Sequence, residues 1–288
     1  MAPNAEPTVI EGVLVVGAGT MGSGIAQVIA QANIRTIVTD ADTASLDRGL
    51  ASIASRWQRQ AATGRCSADD AARFQANLSP GTIADAANAD LVIEAIVEKP
   101  EPKASLFREL ATIAPPPTIF ASNTSSISIS TLGHETGRPD RFLGLHFFNP
   151  VPVLPLVEIV RGLETSEVTL AASTKFAEAI GKTPIIVGDS PGFVANRILL
   201  PMINEAIFTL QDGVAPASSI DEVMKLGTSH PMGPLALADL IGLDVCLDIL
   251  ETMHRDFGDD KYRPAPLLRR LVGAGKLGRK TGQGFYDH

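Results

Sequence analysis

Residues 12–40 read GVLVVGAGTMGSGIAQVIAQANIRTIVTD, and the order of residue types in this stretch decides the fold. Gly12-Val13-Leu14-Val15-Val16 is a β-branched run with no polar position, the pattern of a parallel strand buried on both faces. Residues 22–31 are small and apolar at helical spacing, and residues 36–40 return to strand-forming types that end on Asp40. The unit is β-α-β. Its turn, Gly17-Ala18-Gly19-Thr20-Met21-Gly22, is G-x-G-x-x-G between a predicted strand and a predicted helix, the context that makes such a loop a phosphate cradle. Gly17 permits the tight turn, Gly19 lets a pyrophosphate approach the backbone, and Gly22 allows close helix-strand contact, while the helix N-terminus meets the negative charge. Asp40 would accept hydrogen bonds from the adenosine ribose and repel a 2′-phosphate. Residues 17–22 and Asp40 are therefore the predicted contacts of a dinucleotide, NAD rather than NADP; Arg35 and Arg48 flank the strand without lying beside Asp40.

Outward from this unit the alternation continues. Helical patterns cover residues 43–62 and a shorter stretch after Ser67, residues 90–95 form an apolar strand, a helix spans 103–113, and the triple Pro115-Pro116-Pro117 precedes a strand at 118–122. This predicts a doubly wound, mostly parallel Rossmann-type sheet, an α/β fold. From Arg141 the pattern changes. Strands at 142–148 and 156–160 are separated by Asn149-Pro150-Val151-Pro152-Val153-Leu154-Pro155, too short for a helical crossover, so an antiparallel hairpin is expected. A helix at 166–180 and a strand at 183–187 complete this part, and Gly188-Asp189-Ser190-Pro191-Gly192 marks the boundary. Residues 1–188 are thus read as the dinucleotide-binding domain. Residues 189–288 are read as a smaller all-helical domain, with helices at 193–211, 220–226 and 235–254.

The whole-chain arithmetic bounds the function. At 288 residues, 45% hydrophobic and 19% charged, the chain is globular and long enough for two domains. Its net charge of -8 repels polyanions, so no nucleic-acid partner is expected, and an anionic ligand must be met locally. Cys66 and Cys246 stand far apart without His at ligand spacing, which supports neither a disulfide nor a metal. Met1 to Pro7 carries no basic stretch, and no eighteen-residue apolar run occurs, so a cytoplasmic protein without a membrane partner is expected.

Of five histidines, His146 lies in an apolar strand, where its ring needs a partner. If the two strands are hairpin neighbours, Glu158 can lie opposite it, hold one ring nitrogen as N–H and leave the other open, the arrangement of an oriented acid/base. The competing reading is a core histidine satisfied by a backbone carbonyl, with Glu158 turned outward. Ser122-Asn123-Thr124-Ser125-Ser126 follows a strand at the carboxyl edge of the sheet, where open α/β folds bind ligands. The alternative there is a plain polar turn.

These residues carry a resemblance. The chain resembles the L-3-hydroxyacyl-CoA dehydrogenases, most closely the short-chain bacterial 3-hydroxybutyryl-CoA type, nearly end to end. The matching stretches are the glycine loop, Glu94 to Glu98, Ser122 to Ser126, His146 to Pro150 with Glu158, Asp189 to Phe193 with Asn196-Arg197, Gly233 to Asp244, and Lys280 to Tyr286. The resemblance implies His146 as the acid/base, Glu158 as its orienter, and Ser125 and Asn196 as hydrogen-bonding partners of the reacting oxygen. It also implies Glu98, Lys103, Ser125 and Asn149 near the cofactor, an acyl-CoA substrate, and a homodimer formed through the helical domain. Arg56, Arg59 and Arg65, on and after the helix at 43–62, are the candidates for the coenzyme A phosphates; a solvated basic face is the competing reading. Oxidising a secondary alcohol moves a hydride to nicotinamide and releases a proton, which suits a neutral imidazole backed by a carboxylate and requires no metal. A dehydrogenase of a free sugar acid and a non-catalytic nucleotide-binding protein are the other functions that fit the fold.

Overall fold

A computed structural model describes residues 9–288, so Met1 to Pro7 lies outside the described residues. The chain divides into two compact units between Asp189 and Ser190. Strand β1 (Gly12–Val16) is buried along its whole length, and α1 (Thr20–Gln31) begins four residues after it ends. Next come β2 (Arg35–Thr39), α2 (Thr43–Ala62) and α3 (Ala68–Ala76). The first unit continues through β3 (Leu78–Pro80), β4 (Leu91–Glu94), α4 (Pro100–Ile113), β5 (Ile119–Ser122), α5 (Ile129–Glu135), β6 (Phe142–Phe147), β7 (Leu156–Arg161), α6 (Glu167–Ala179) and β8 (Thr183–Gly188). All eight strands form one sheet in the order β3-β2-β1-β4-β5-β6-β7-β8, and only the β6/β7 contact is antiparallel.

The amphipathic spacing of α2 explains its packing. Leu46, Gly49, Ile53 and Trp57 recur every three or four residues and form its buried face, while Asp42 caps its first turn by accepting from the backbone N–H groups of Ala44 and Ser45. Trp57 packs at 5.9 Å from Phe74 of α3 and belongs to the core. On α1, Ile25 and Ile29 are fully excluded from water beside Val13 and Val15 of the sheet. Each such aliphatic side chain contributes about 1.5–3 kcal/mol relative to an exposed one.

Three elements differ from the sequence-based expectation. The short strand β3, of which only Leu78 is buried, pairs with β2 at the sheet edge and was not expected. Helix α5 was also not expected: it has seven residues, and much of its N-terminal hydrogen bonding comes from Asp189, far along the chain. In the second unit α7 (Ala195–Gln211) and α8 (Ala217–Thr228) lie where helices were read. The single helix expected at 235–254 is instead two, α9 (Pro234–Ile241) and α10 (Leu243–Phe257). Gly242 separates them at φ 106, a conformation that side-chain-bearing residues rarely adopt and a helix cannot continue through. A further helix, α11 (Pro266–Gly273), completes the unit.

The helical unit has its own core, including Leu200, Ile203, Ile207, Leu235, Leu250 and Met253. Two buried aspartates tie its segments together. Asp221 accepts from the backbone N–H groups of Leu235 and Ala236 at the start of α9 and from the Tyr286 hydroxyl at 2.7 Å. Asp239 accepts from the N–H groups of Phe285 and Tyr286, which accounts for the Gly284-Phe285-Tyr286 stretch as a docked segment. Burial and Asp221 push the Tyr286 phenol far above its ordinary value. Among the described residues no helix is long and apolar enough to cross a membrane.

Candidate active site

At the carboxyl edge of β1 the glycine loop has the geometry its sequence predicts. Gly17 stands at φ 107, and a Cβ there would meet the Ala95 carbonyl oxygen at 2.5 Å. A Cβ on Gly22 would lie 1.8 Å from the Gly17 carbonyl oxygen. Both positions are closed by the chain itself. Gly19 is different: a Cβ there meets nothing within 4 Å, so the space beside it belongs to no part of the protein. Gly19 is also the N-cap of α1, whose first turn has neither a capping side chain nor an acidic residue. An open approach, an uncapped first turn and the helix dipole fit the pyrophosphate of a dinucleotide. Asp40 follows β2 and accepts from the Ala18 N–H at 2.8 Å and from the Asp42 N–H at 2.9 Å, so its carboxylate shapes the loop.

Strands β4 and β5 pair with Glu94 opposite Ser122, and this pairing places a buried charged cluster under the 123–126 loop. Lys103 of α4 reaches Glu94 Oε1 at 2.5 Å and Glu98 Oε2 at 3.1 Å; the lysine side chain is 1% exposed, that of Glu94 0% and that of Glu98 39%. Glu94 also accepts from the Ser122 hydroxyl at 2.6 Å and from the Ile96 N–H at 2.7 Å. Glu98 Oε1 accepts from the Thr124 hydroxyl at 2.5 Å and from the Ser125 N–H at 2.8 Å. Burial pushes the Glu94 carboxyl above the usual range against the pull of Lys103 and the two hydrogen bonds. Burial acts the same way on Glu98, but there Lys103 and the Thr124 and Ser125 bonds prevail and hold the carboxyl below its ordinary value.

One strand further on, the antiparallel register sets His146 of β6 opposite Glu158 of β7. Their side chains meet at 2.7 Å between Nδ1 and Oε2, with 8% and 3% of each exposed. A carboxylate only accepts, so Nδ1 carries the hydrogen of this contact. Phe148 packs against the imidazole at 4.5 Å between ring centroids. The neighbouring loop is tied to the same strand, because Asn123 Oδ1 accepts from the Phe147 N–H at 2.9 Å.

The other sequence-derived candidates fall as follows. Ser125 is half-buried on its loop, and Asn149 is exposed just beyond β6. Asn196 is 9% exposed in the first turn of α7, in the helical unit. Lys103 is enclosed by Glu94 and Glu98, so its ammonium group bears on the site by way of those carboxylates. Arg56 is not a solvated cation: its Nε and Nη2 are buried without a hydrogen-bond partner, and burial lowers its pKa. Arg59 and Arg65 are exposed. Sequence reasoning singled out neither Glu94 nor Thr124 for a role of its own. The available signal for Glu94 was a carboxylate closing an otherwise apolar strand, Leu91-Val92-Ile93-Glu94.

A doubly wound sheet with this glycine loop, an acidic residue after the second strand and a helical second unit defines an NAD-dependent dehydrogenase. The chain belongs to the 3-hydroxyacyl-CoA dehydrogenase family: the model of its NAD binding domain matches residues 12–190 and that of its C-terminal domain matches residues 192–288. A probable 3-hydroxybutyryl-CoA dehydrogenase of Bacillus subtilis is 50% identical over 280 residues, 97% of this chain and 98% of that protein. A 3-hydroxybutyryl-CoA dehydrogenase of Bradyrhizobium diazoefficiens is 48% identical, covering 97% of this chain and 96% of its own. The crystal structure of an (S)-3-hydroxybutyryl-CoA dehydrogenase from Ralstonia eutropha superposes with a TM-score of 0.93 at 48% identity, covering 97% of this chain and 99% of that one.

Proposed function

We propose that the protein interconverts L-3-hydroxyacyl-CoA and 3-ketoacyl-CoA thioesters, with 3-hydroxybutyryl-CoA and acetoacetyl-CoA as the pair it handles best, and that His146 is its acid/base. The observation that carries this reading is the buried His146–Glu158 contact of 2.7 Å on adjacent strands. In oxidation, Nε2 of His146 takes the proton of the substrate hydroxyl as the carbon-bound hydrogen leaves with its electron pair, and the carbonyl forms. Bound NAD supplies the acceptor for that hydride. Glu158 holds the imidazole in the required tautomer and stabilises the imidazolium that results. In reduction the same nitrogen returns the proton to the 3-keto oxygen, while Ser125 and Asn196 hydrogen-bond that oxygen as charge develops on it. Since oxidation releases a proton, acid favours reduction.

The remaining assignments follow from the same reading. Residues 17–22 hold the pyrophosphate and Asp40 the adenosine ribose, while Glu98, Lys103 and Asn149 stand around the cofactor. Arg56 and Arg59 on α2 are assigned to the coenzyme A phosphates; Arg56 would have to turn its guanidinium outward to serve. The helical unit is assigned to substrate contact and to a homodimer interface, and the protein to the cytoplasm. The test is NAD reduction with L-3-hydroxybutyryl-CoA, its D isomer, the free 3-hydroxy acid and a sugar acid. Turnover of the L thioester at least about 100-fold above the others supports the reading, a ratio worth about 2.7 kcal/mol of discrimination. Preference for a free acid, or no turnover of any thioester, overturns it.

A further inference from the structure

The least expected feature of the sheet is a fully buried acid and a fully buried base that the proton transfer at His146 does not use. Glu94 and Lys103 are 0% and 1% exposed. Burying such a pair is weak evidence for stability, because desolvation offsets the attraction and an apolar pair of similar volume often serves as well. What the pair does contribute is placement. Glu94 Oε1 holds Lys103 at 2.5 Å, which fixes the ammonium group so that it meets Glu98 at 3.1 Å. Glu98 in turn accepts from the Thr124 hydroxyl and the Ser125 N–H. The other oxygen of Glu94 takes the Ser122 hydroxyl, and the Glu94 carbonyl takes the Asn123 N–H at 2.8 Å, so one residue grips the loop at its root and, through two intermediaries, at its tip.

We propose that Glu94 is a positioning residue: through Lys103 and Glu98 it fixes the backbone of the 123–126 loop and so the place of Ser125 relative to the reacting oxygen. The inference rests on the role given to Ser125 above. Lys103 faces two carboxylates, so its ammonium group sits between opposing attractions, and the balance between them sets how far Glu98 is drawn from the loop. Glu94 is the fixed half of that balance, since it is saturated by three donors from β5, α4 and its own turn. Removing its charge leaves Lys103 to Glu98 alone, which draws Glu98 toward the lysine and away from the Ser125 N–H.

The test is a double-mutant cycle with Glu94→Gln, Glu98→Gln and the double variant, reading kcat for acetoacetyl-CoA reduction, the NADH dissociation constant and the melting temperature. Glu94→Gln should lower kcat by about tenfold or more, the loss expected when an oxygen-binding donor is displaced but not removed. The double variant should be no slower than the slower single, because both changes act on Ser125 through the contacts that Glu98 makes with the loop. Wild-type kcat in Glu94→Gln, or losses that multiply in the double variant, overturns the proposal. If Glu94→Gln does not fold, Glu94→Asp, whose carboxylate is drawn back by one methylene and so loosens its hold on Lys103, takes its place in the same cycle with the same two outcomes. A wild-type protein that turns over no thioester refutes the proposed function, whereas an active wild type with an additive cycle refutes only the role of Glu94.

Discussion

Two glycines three residues apart should respond to the same substitution in opposite ways. In Gly22→Ala the new Cβ would lie 1.8 Å from the Gly17 carbonyl oxygen, closer than any side chain can be accommodated, and the obstacle is backbone rather than a mobile side chain. Strand β1 and helix α1 must separate, so the cost should exceed the roughly 1–3 kcal/mol of ordinary overpacking. In Gly19→Ala the Cβ meets nothing within 4 Å, and the residue's φ of -66 and ψ of -169 suit any L residue. Two small effects then oppose each other. Restricting the unfolded chain adds about 0.4–1 kcal/mol of stability, and alanine is a poorer N-cap than glycine by a comparable amount. The melting temperature should therefore stay within about 4 °C of wild type, the shift that roughly 1 kcal/mol gives a chain of this size. NADH binding should not survive unchanged. The methyl group fills open space beside the loop where the pyrophosphate is proposed to approach, and losing one or two charge-assisted hydrogen bonds of about 1.5–3 kcal/mol each weakens binding by about tenfold or more. Thermal melts and NADH fluorescence titration of both variants read the two halves. Wild-type NADH affinity in Gly19→Ala, or wild-type stability in Gly22→Ala, would refute the reading of the loop.

Further outcomes follow from the charges. With His146 as the proposed acid/base, Glu158→Gln would leave the imidazolium formed during oxidation without its carboxylate inside a buried site, a loss of about 3–4 kcal/mol, so kcat should fall by about 10²–10³ with little change in NADH affinity; steady-state kinetics showing a loss below about threefold would remove Glu158 from its role. Glu98 has a folded-state pKa below its unfolded value of about 4.3, so its contribution to stability is present above that value and is lost as pH falls through the folded one. The melting temperature of Glu98→Gln should accordingly lie below wild type at neutral pH and converge with it in acid, and a gap independent of pH would contradict the Lys103, Thr124 and Ser125 contacts. Cys246 is 0% exposed, and burial with nearby carboxylates pushes its thiol up to about 12, whereas Cys66 is half-buried. A thiol reagent near pH 8 should label Cys66 alone in the folded protein and both cysteines after unfolding, as mass spectrometry would read; rapid labelling of Cys246 in the native state would contradict its packing.

How far the sequence spoke for itself differs from element to element. Strand β1 was legible because every residue in it is apolar and both faces are covered, and the β6/β7 hairpin because seven proline-studded residues leave no room for a crossover. Helix α5 was not, since it has only seven residues and, although Ser128 caps it locally, the amides of Ile129 and Ser130 are held by Asp189, about sixty residues away. The apolar spacing of α9 runs on into α10, so one helix was read where Gly242 makes two. The same distinction holds in the site. His146 and Glu158 were legible as a pair because strand register is a local property once the turn is known. Glu94 was not, because Ser122 becomes its neighbour only through β4/β5 pairing and Lys103 only through the packing of α4.

The central claim is that one imidazole moves the proton while other groups hold the cofactor, and His146→Gln separates these most directly. Acetoacetyl-CoA reduction by the variant should be slower than wild type by about 10²–10⁴, with the NADH dissociation constant within about threefold and the fold unchanged by circular dichroism. Near-normal turnover with intact NADH binding would contradict the account.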